Sequence, residues 1–118
     1  MLALPILIAI STHAGAEWTP VHEDPEATTS ISARPADRAG GHLSVAVRTM
    51  FKDDQSGGFI HQLEVDCGAN RLRAVHEAIL DPSGETVTEG PSISADWTTP
   101  PEEAPFSAVM RRVCVQAD

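Results

Sequence analysis

The sequence predicts an α+β fold: a single antiparallel sheet of about six strands, with a C-terminal α-helix packed on one face and tethered by a disulfide. Three observations lead there. Between residues 42 and 89, apolar and polar side chains alternate in successive stretches separated by turns rich in Gly, Pro and Asp, the pattern of half-buried strands joined as hairpins. Near the C-terminus the period changes. Phe106, Val109, Met110, Val113 and Cys114 fall at i, i+3, i+4, i+7 and i+8, one stripe of an amphipathic helix. Finally, the chain has two cysteines, Cys67 at the end of an alternating stretch and Cys114 on the helical stripe. Bonded, they fasten the C-terminal segment to the middle of a sheet.

The chain begins with a leader. Leu2 to Ile10 is almost wholly apolar, and Ala14-Gly15-Ala16 follows as a small-x-small cleavage site, so residues 1–16 read as a secretory signal peptide and residues 17–118 as one domain. The run is too short to span a bilayer, which takes about 20 apolar residues. No Lys or Arg precedes it, so either the α-amino group supplies the positive charge or the start codon lies upstream, the second being favoured. No cysteine follows the cleavage site for lipid attachment. The expected destination is the periplasm or outer surface of a Gram-negative bacterium, where two cysteines read as a disulfide. Closing a loop of this length contributes roughly 4 kcal/mol on the chain-entropy model, a large share for a domain this small.

In the mature region, Glu17 to Glu23 is expected as an edge strand, because Pro20 has no N–H for a central ladder. Glu23-Asp24-Pro25-Glu26 is a turn, and Ala27 to Ala33 is a short strand rich in β-branched residues. Arg34 to Gly41 reads as a polar loop. His42 to Phe51 places Leu43, Val45, Val47 and Phe51 on one face. Lys52 to Gly58 is a hairpin loop, mobile by composition. The next strand, Phe59 to Cys67, has Phe59, His61, Leu63, Val65 and Cys67 on one face and Gln62, Glu64 and Asp66 on the other. Gly68-Ala69-Asn70 turns the chain into Arg71 to Leu80, with Leu72, Ala74, His76, Ala78 and Leu80 expected together. Asp81-Pro82-Ser83-Gly84 is a tight turn with Pro at its second position, and Glu85 to Glu89 completes a hairpin. An irregular, proline-rich passage containing Trp97 leads to a helix from Pro105. Glu102 and Glu103 at its start and Arg111 and Arg112 near its end suit the helix dipole. The helix is too short to persist alone, so it docks, with its Trp97 lead-in, on the apolar face of the sheet.

The chain has 118 residues, 42% of them apolar and only 4% aromatic, with no Tyr and a net charge of −9. That balance excludes binding to nucleic acid or to an anionic lipid surface, both of which need an excess of Lys and Arg. It also keeps an exported protein soluble.

Several features recur together: Trp18, the alternating Leu43-Ser44-Val45-Ala46-Val47-Arg48 strand, Glu64-Val65-Asp66-Cys67-Gly68-Ala69-Asn70-Arg71-Leu72-Arg73, the Asp81-Pro82-Ser83-Gly84 turn, Asp96-Trp97 and the terminal Val113-Cys114. In this combination the chain resembles the surface-adhesin protein E family of small exported proteobacterial proteins, over nearly the whole of residues 17–118. The resemblance implies an antiparallel sheet with a C-terminal helix held by a Cys67–Cys114 bond. It also implies a non-enzymatic role in adhesion to host matrix or serum proteins. Two departures stand out: the missing lipidation cysteine, and the missing tyrosines where the family's strands are rich in aromatic residues.

The candidate binding residues are Glu64, Asp66, Arg71, Arg73 and Trp97. Glu64 and Asp66 share a strand face, and Arg71 and Arg73 are placed to pair with them across it, making an acid–base stripe. Trp97 is either packing for the helix or an anchor for a partner, and its neighbouring prolines favour packing. Disulfide aside, no catalytic, metal or cofactor site is expected. The chain has no Gly-x-Ser-x-Gly, no Gly-rich phosphate loop and no cysteine beyond the pair. His42, His61 and His76 would need neighbouring strands to meet as metal ligands, and none has His-x-His or His-x-x-x-His spacing. The loop Asp53 to Gly58 and the tip Ser83-Gly84 are further contact candidates. The expected partner is a protein, either a host matrix or serum protein or, alternatively, a periplasmic cell-wall enzyme such as a cationic lysozyme that the chain inhibits or assists.

Overall fold

A computed structural model describes residues 17–32, 37–39 and 41–116; the leader expected over residues 1–16 lies outside them. Among the described residues the elements are β1 (Trp18–Glu23), β2 (Ala27–Ser32), β3 (Asp37–Ala39), β4 (His42–Phe51), β5 (Gly58–Asp66), β6 (Arg71–Leu80), β7 (Thr86–Pro91) and α1 (Pro105–Gln116). These seven strands form one antiparallel sheet, six of them in the order β1-β2-β4-β5-β6-β7 and β3 paired to β4, and β1, with Pro20, lies at its edge as expected. β3 lies within the stretch expected as a loop. β2 pairs β4 only along Val47–Phe51, which leaves the edge of His42–Ser44 to be paired by β3.

One face carries the main core. Ile31, Leu43, Val45, Val47, Leu63, Val65 and Leu72 form a single buried cluster with Val109, Met110 and Val113 of α1. Phe106 and Cys114 pack against it half-buried, so the whole apolar stripe of α1 contributes. Cys114 is bonded to Cys67, just past the end of β5, with their Cα atoms 5.7 Å apart.

The sheet is not apolar on one face alone. β5 and β6 pair Leu63 with Ala74 but Gln62 with His76, so Val75 is an extra residue, a β-bulge. A one-residue insertion reverses which face every later side chain takes. Leu72 and Ala74 therefore stay on the α1 side, while His76, Ala78 and Leu80, expected with them, turn to the opposite side. There Ala78 and Leu80 join Ile60 in a second buried cluster, flanked by Trp18 and Met50.

The charges expected to flatter the helix dipole also fall elsewhere. Neither terminal turn of α1 contains a charged residue of the favourable sign, because the helix starts after Glu102 and Glu103 and continues beyond Arg111 and Arg112. The β4–β5 loop crosses close to the end of β6. A Cβ on Gly57 would lie 2.0 Å from the Leu80 carbonyl oxygen, and Gly57 has φ +71°, so only glycine fits. Asp53 holds this loop by accepting the N–H groups of Gln55 and Ser56.

Candidate functional site

The site is laid out by strand register. β5 and β6 place Glu64 opposite Arg73 and Asp66 opposite Arg71, on the face away from α1. Each pair bonds: Glu64 Oε1 accepts from Arg73 Nε at 2.8 Å and lies 2.7 Å from Nη2. Asp66 Oδ2 accepts from Arg71 Nε at 3.2 Å. Asp66 Oδ1 also accepts the Ala69 N–H at 3.2 Å. That backbone bond, followed by the bond and charge of Arg71, holds the Asp66 carboxyl below the usual carboxylate range. Asp66 is therefore an anion ready to accept hydrogen bonds, the opposite of a carboxyl raised for acid catalysis.

Trp97 completes the cluster from an unexpected direction. After β7 the chain returns to the free half of the β6 edge, where the Thr98 N–H and C=O exchange 2.8 Å bonds with the C=O and N–H of Leu72. Thr99 Oγ1 donates to the Asn70 carbonyl at 2.8 Å. Paired to Leu72, Thr98 shares the α1 face, and alternation sends Trp97 to the other. The indole thus does not cover the apolar face with the helix, as its nearness in sequence suggested. The guanidinium carbons of Arg71 and Arg73 lie 4.6 and 4.5 Å from its ring centroid, and His42 meets it edge-on at 4.8 Å. Each cation–π contact is worth about 0.5–1 kcal/mol at a partly exposed site.

All five sequence-predicted binding residues therefore meet in one half-exposed cluster, joined by His42, whose Nε2 lies 3.9 Å from Asp66 Oδ2. Alternation placed the four charged residues on one face of their strands. Trp97 and His42 depended on long-range pairing that no local pattern reveals. The three histidines considered as metal ligands separate: His42 is at this cluster, His76 is bound to Glu89 at 3.0 Å, and His61 is on the opposite face beside Phe59 and Phe106. Among the described residues, no three His, Cys, Asp or Glu side chains are grouped as metal ligands, and no helix is long and apolar enough to cross a membrane.

At the far end of the sheet the three hairpin turns lie side by side. They carry Glu23, Asp24 and Glu26, then Asp53 and Asp54, then Asp81 and Glu85, with Lys52 bound to Glu23 at 2.9 Å. Asp24, Asp53 and Asp81 each accept turn N–H groups. These bonds, led for Asp81 by the one its carboxylate accepts from the Ser83 hydroxyl, lower their pKa values and keep the turns anionic. Comparison of the chain with protein-family models, curated proteins and solved structures finds no match.

Proposed function

We propose that the chain is an exported, non-enzymatic protein-binding domain of the surface-adhesin E type, recognising a host matrix or serum protein through the Trp97 cluster. In this reading α1 packs on one face of the sheet, and the partner meets the half-exposed Trp97 cluster on the other. The observation that carries it is the stacking of Trp97 with Arg71 and Arg73, each arginine held by its own carboxylate. Trp and Arg dominate the energetic centres of protein interfaces. Side chains already fixed by neighbours lose little freedom on binding. The test is capture by immobilised residues 17–118 from serum and solubilised matrix, repeated with Trp97→Ala. Retention of a host protein that falls at least tenfold in the variant supports the proposal. Equal retention by both proteins, or none by either, overturns it.

A second reading has its own support. Seven carboxylates on three adjacent turns, against one lysine, suit a cationic enzyme of the cell wall, which the chain would bind and inhibit in the periplasm. Dose-dependent inhibition of a cationic lysozyme, weakened by salt and by Asp53→Asn with Asp54→Asn, supports it. Full enzyme activity at saturating protein rules it out.

A further inference from the structure

The bond between Cys67 and Cys114 is asymmetric in its surroundings. Cys67 stands exposed on the turn after β5. Cys114 is half-buried and packs on the main core. Both line an open groove of about 400 Å³ whose other walls are Asn70, Ser107, Met110, Arg111 and Val115. Arg111 is the cation there. Its Nη1 donates to Ser107 Oγ and to the Glu102 carbonyl oxygen, and among the described residues no carboxylate pairs with it. Asn70, on the same turn as Cys67, lies in the left-handed region at φ 56°, a conformation Asn tolerates.

We propose that this groove is a thiol–disulfide exchange site for a small anionic thiol. The attacking thiolate enters beside Arg111 and forms a bond to Cys67 Sγ. The Cys67–Cys114 bond breaks, and its electron pair leaves on Cys114 Sγ, which takes up a proton from solvent. A second thiol then attacks the mixed disulfide on Cys67, releasing a symmetrical small-molecule disulfide and the Cys67 thiol. Two thiols are thus oxidised as one disulfide is reduced. Direction follows from access, because exchange needs in-line approach to a sulfur, and Cys67 is the exposed one. Arg111 favours an anionic attacker by charge, and lies one helical turn from the sulfur that leaves. The freed Cys114 thiol stays on the apolar cluster as a small hydrophobe, so the first product keeps α1 in place while Cys67 carries the adduct.

Reduced glutathione and neutral β-mercaptoethanol are the probes, applied to the folded, oxidised protein and followed by acid quench and peptide mass mapping. Glutathione is expected on Cys67. Arg111→Glu is expected to slow the glutathione reaction roughly threefold to tenfold, less at high salt, and to leave mercaptoethanol unchanged. Three results would each overturn the proposal: glutathione mapped to Cys114, both thiols slowed equally by Arg111→Glu, or reduction only after unfolding in urea. Arg111→Gln provides a variant of milder charge change, expected to fall between wild type and Arg111→Glu in glutathione rate.

Discussion

His61 shows how one residue on a regular strand acquires a distinct environment. Its ring lies 5.4 Å from Phe106 of α1 and 6.0 Å from Phe59, and its Nδ1 is buried without a hydrogen-bond partner. Burial disfavours the imidazolium and lowers the pKa, partly offset by Glu77 on the paired position of β6. Above about pH 6.5, the usual histidine value, both the folded and unfolded states hold this ring neutral. As pH falls below that value the unfolded chain takes up a proton first, so stability declines until the folded pKa is reached. His61→Phe is expected to remove this part of the decline, read as a flatter melting temperature between pH 7 and 5. An unchanged slope would mean that the burial of His61 does not govern stability in this range. At the candidate site, Trp97→Ala should cost about 1–2 kcal/mol from its two cation–π contacts and leave the fold intact by circular dichroism.

At the scale of elements, the sheet and helix were legible because their patterns are local. The alternation of β4 and β5, the stripe of α1 and the Asp81–Gly84 turn each follow from a few adjacent residues. What stayed hidden depends on register. The bulge at Val75 sends Ala78 and Leu80 to the second cluster, yet Leu72 to Leu80 alternates in sequence as if uninterrupted. β3 exists because β2 leaves part of β4 unpaired, and Trp97 is aimed by the Leu72–Thr98 bridge. The disulfide, by contrast, is expected from the presence of two cysteines behind a leader-like segment, and it joins α1 to the end of β5. Cys67→Ser and Cys114→Ser should each lower stability by about 2–5 kcal/mol, a fall in melting temperature on the order of 10–30 °C for a domain of this size. Thermal denaturation under oxidising conditions measures it, and an unchanged midpoint would reject the tether as a stabilising link. Leu63 is fully buried at the centre of the same cluster, and Leu63→Ala should cost about 2–5 kcal/mol through the cavity it leaves.

Across the whole molecule, acidity is organised by the fold. The chain carries a net charge of −9, and carboxylates gather at the hairpin end, where Asp24, Asp53 and Asp81 fasten three turns by accepting the turns' own N–H groups, while Asp66 does the same for the turn before β6 at the opposite end. All four have lowered pKa values, led by turn hydrogen bonds in each case. A carboxyl whose folded pKa is depressed stabilises the fold at every pH above its unfolded value, about 3.9, and that contribution disappears as pH drops through the folded value. The fold should therefore hold its carboxylate-dependent stability down to about pH 4 and lose it progressively below, where protonation removes four turn anchors together. The triple change Asp24→Asn, Asp53→Asn, Asp81→Asn should flatten this acid transition in a denaturant titration repeated from pH 6 to 2, with Asp66→Asn flattening it further. Asparagine keeps an oxygen to accept the turn N–H groups but carries no charge to lose, so a variant that unfolds along the wild-type acid profile would show that these four turns do not set it.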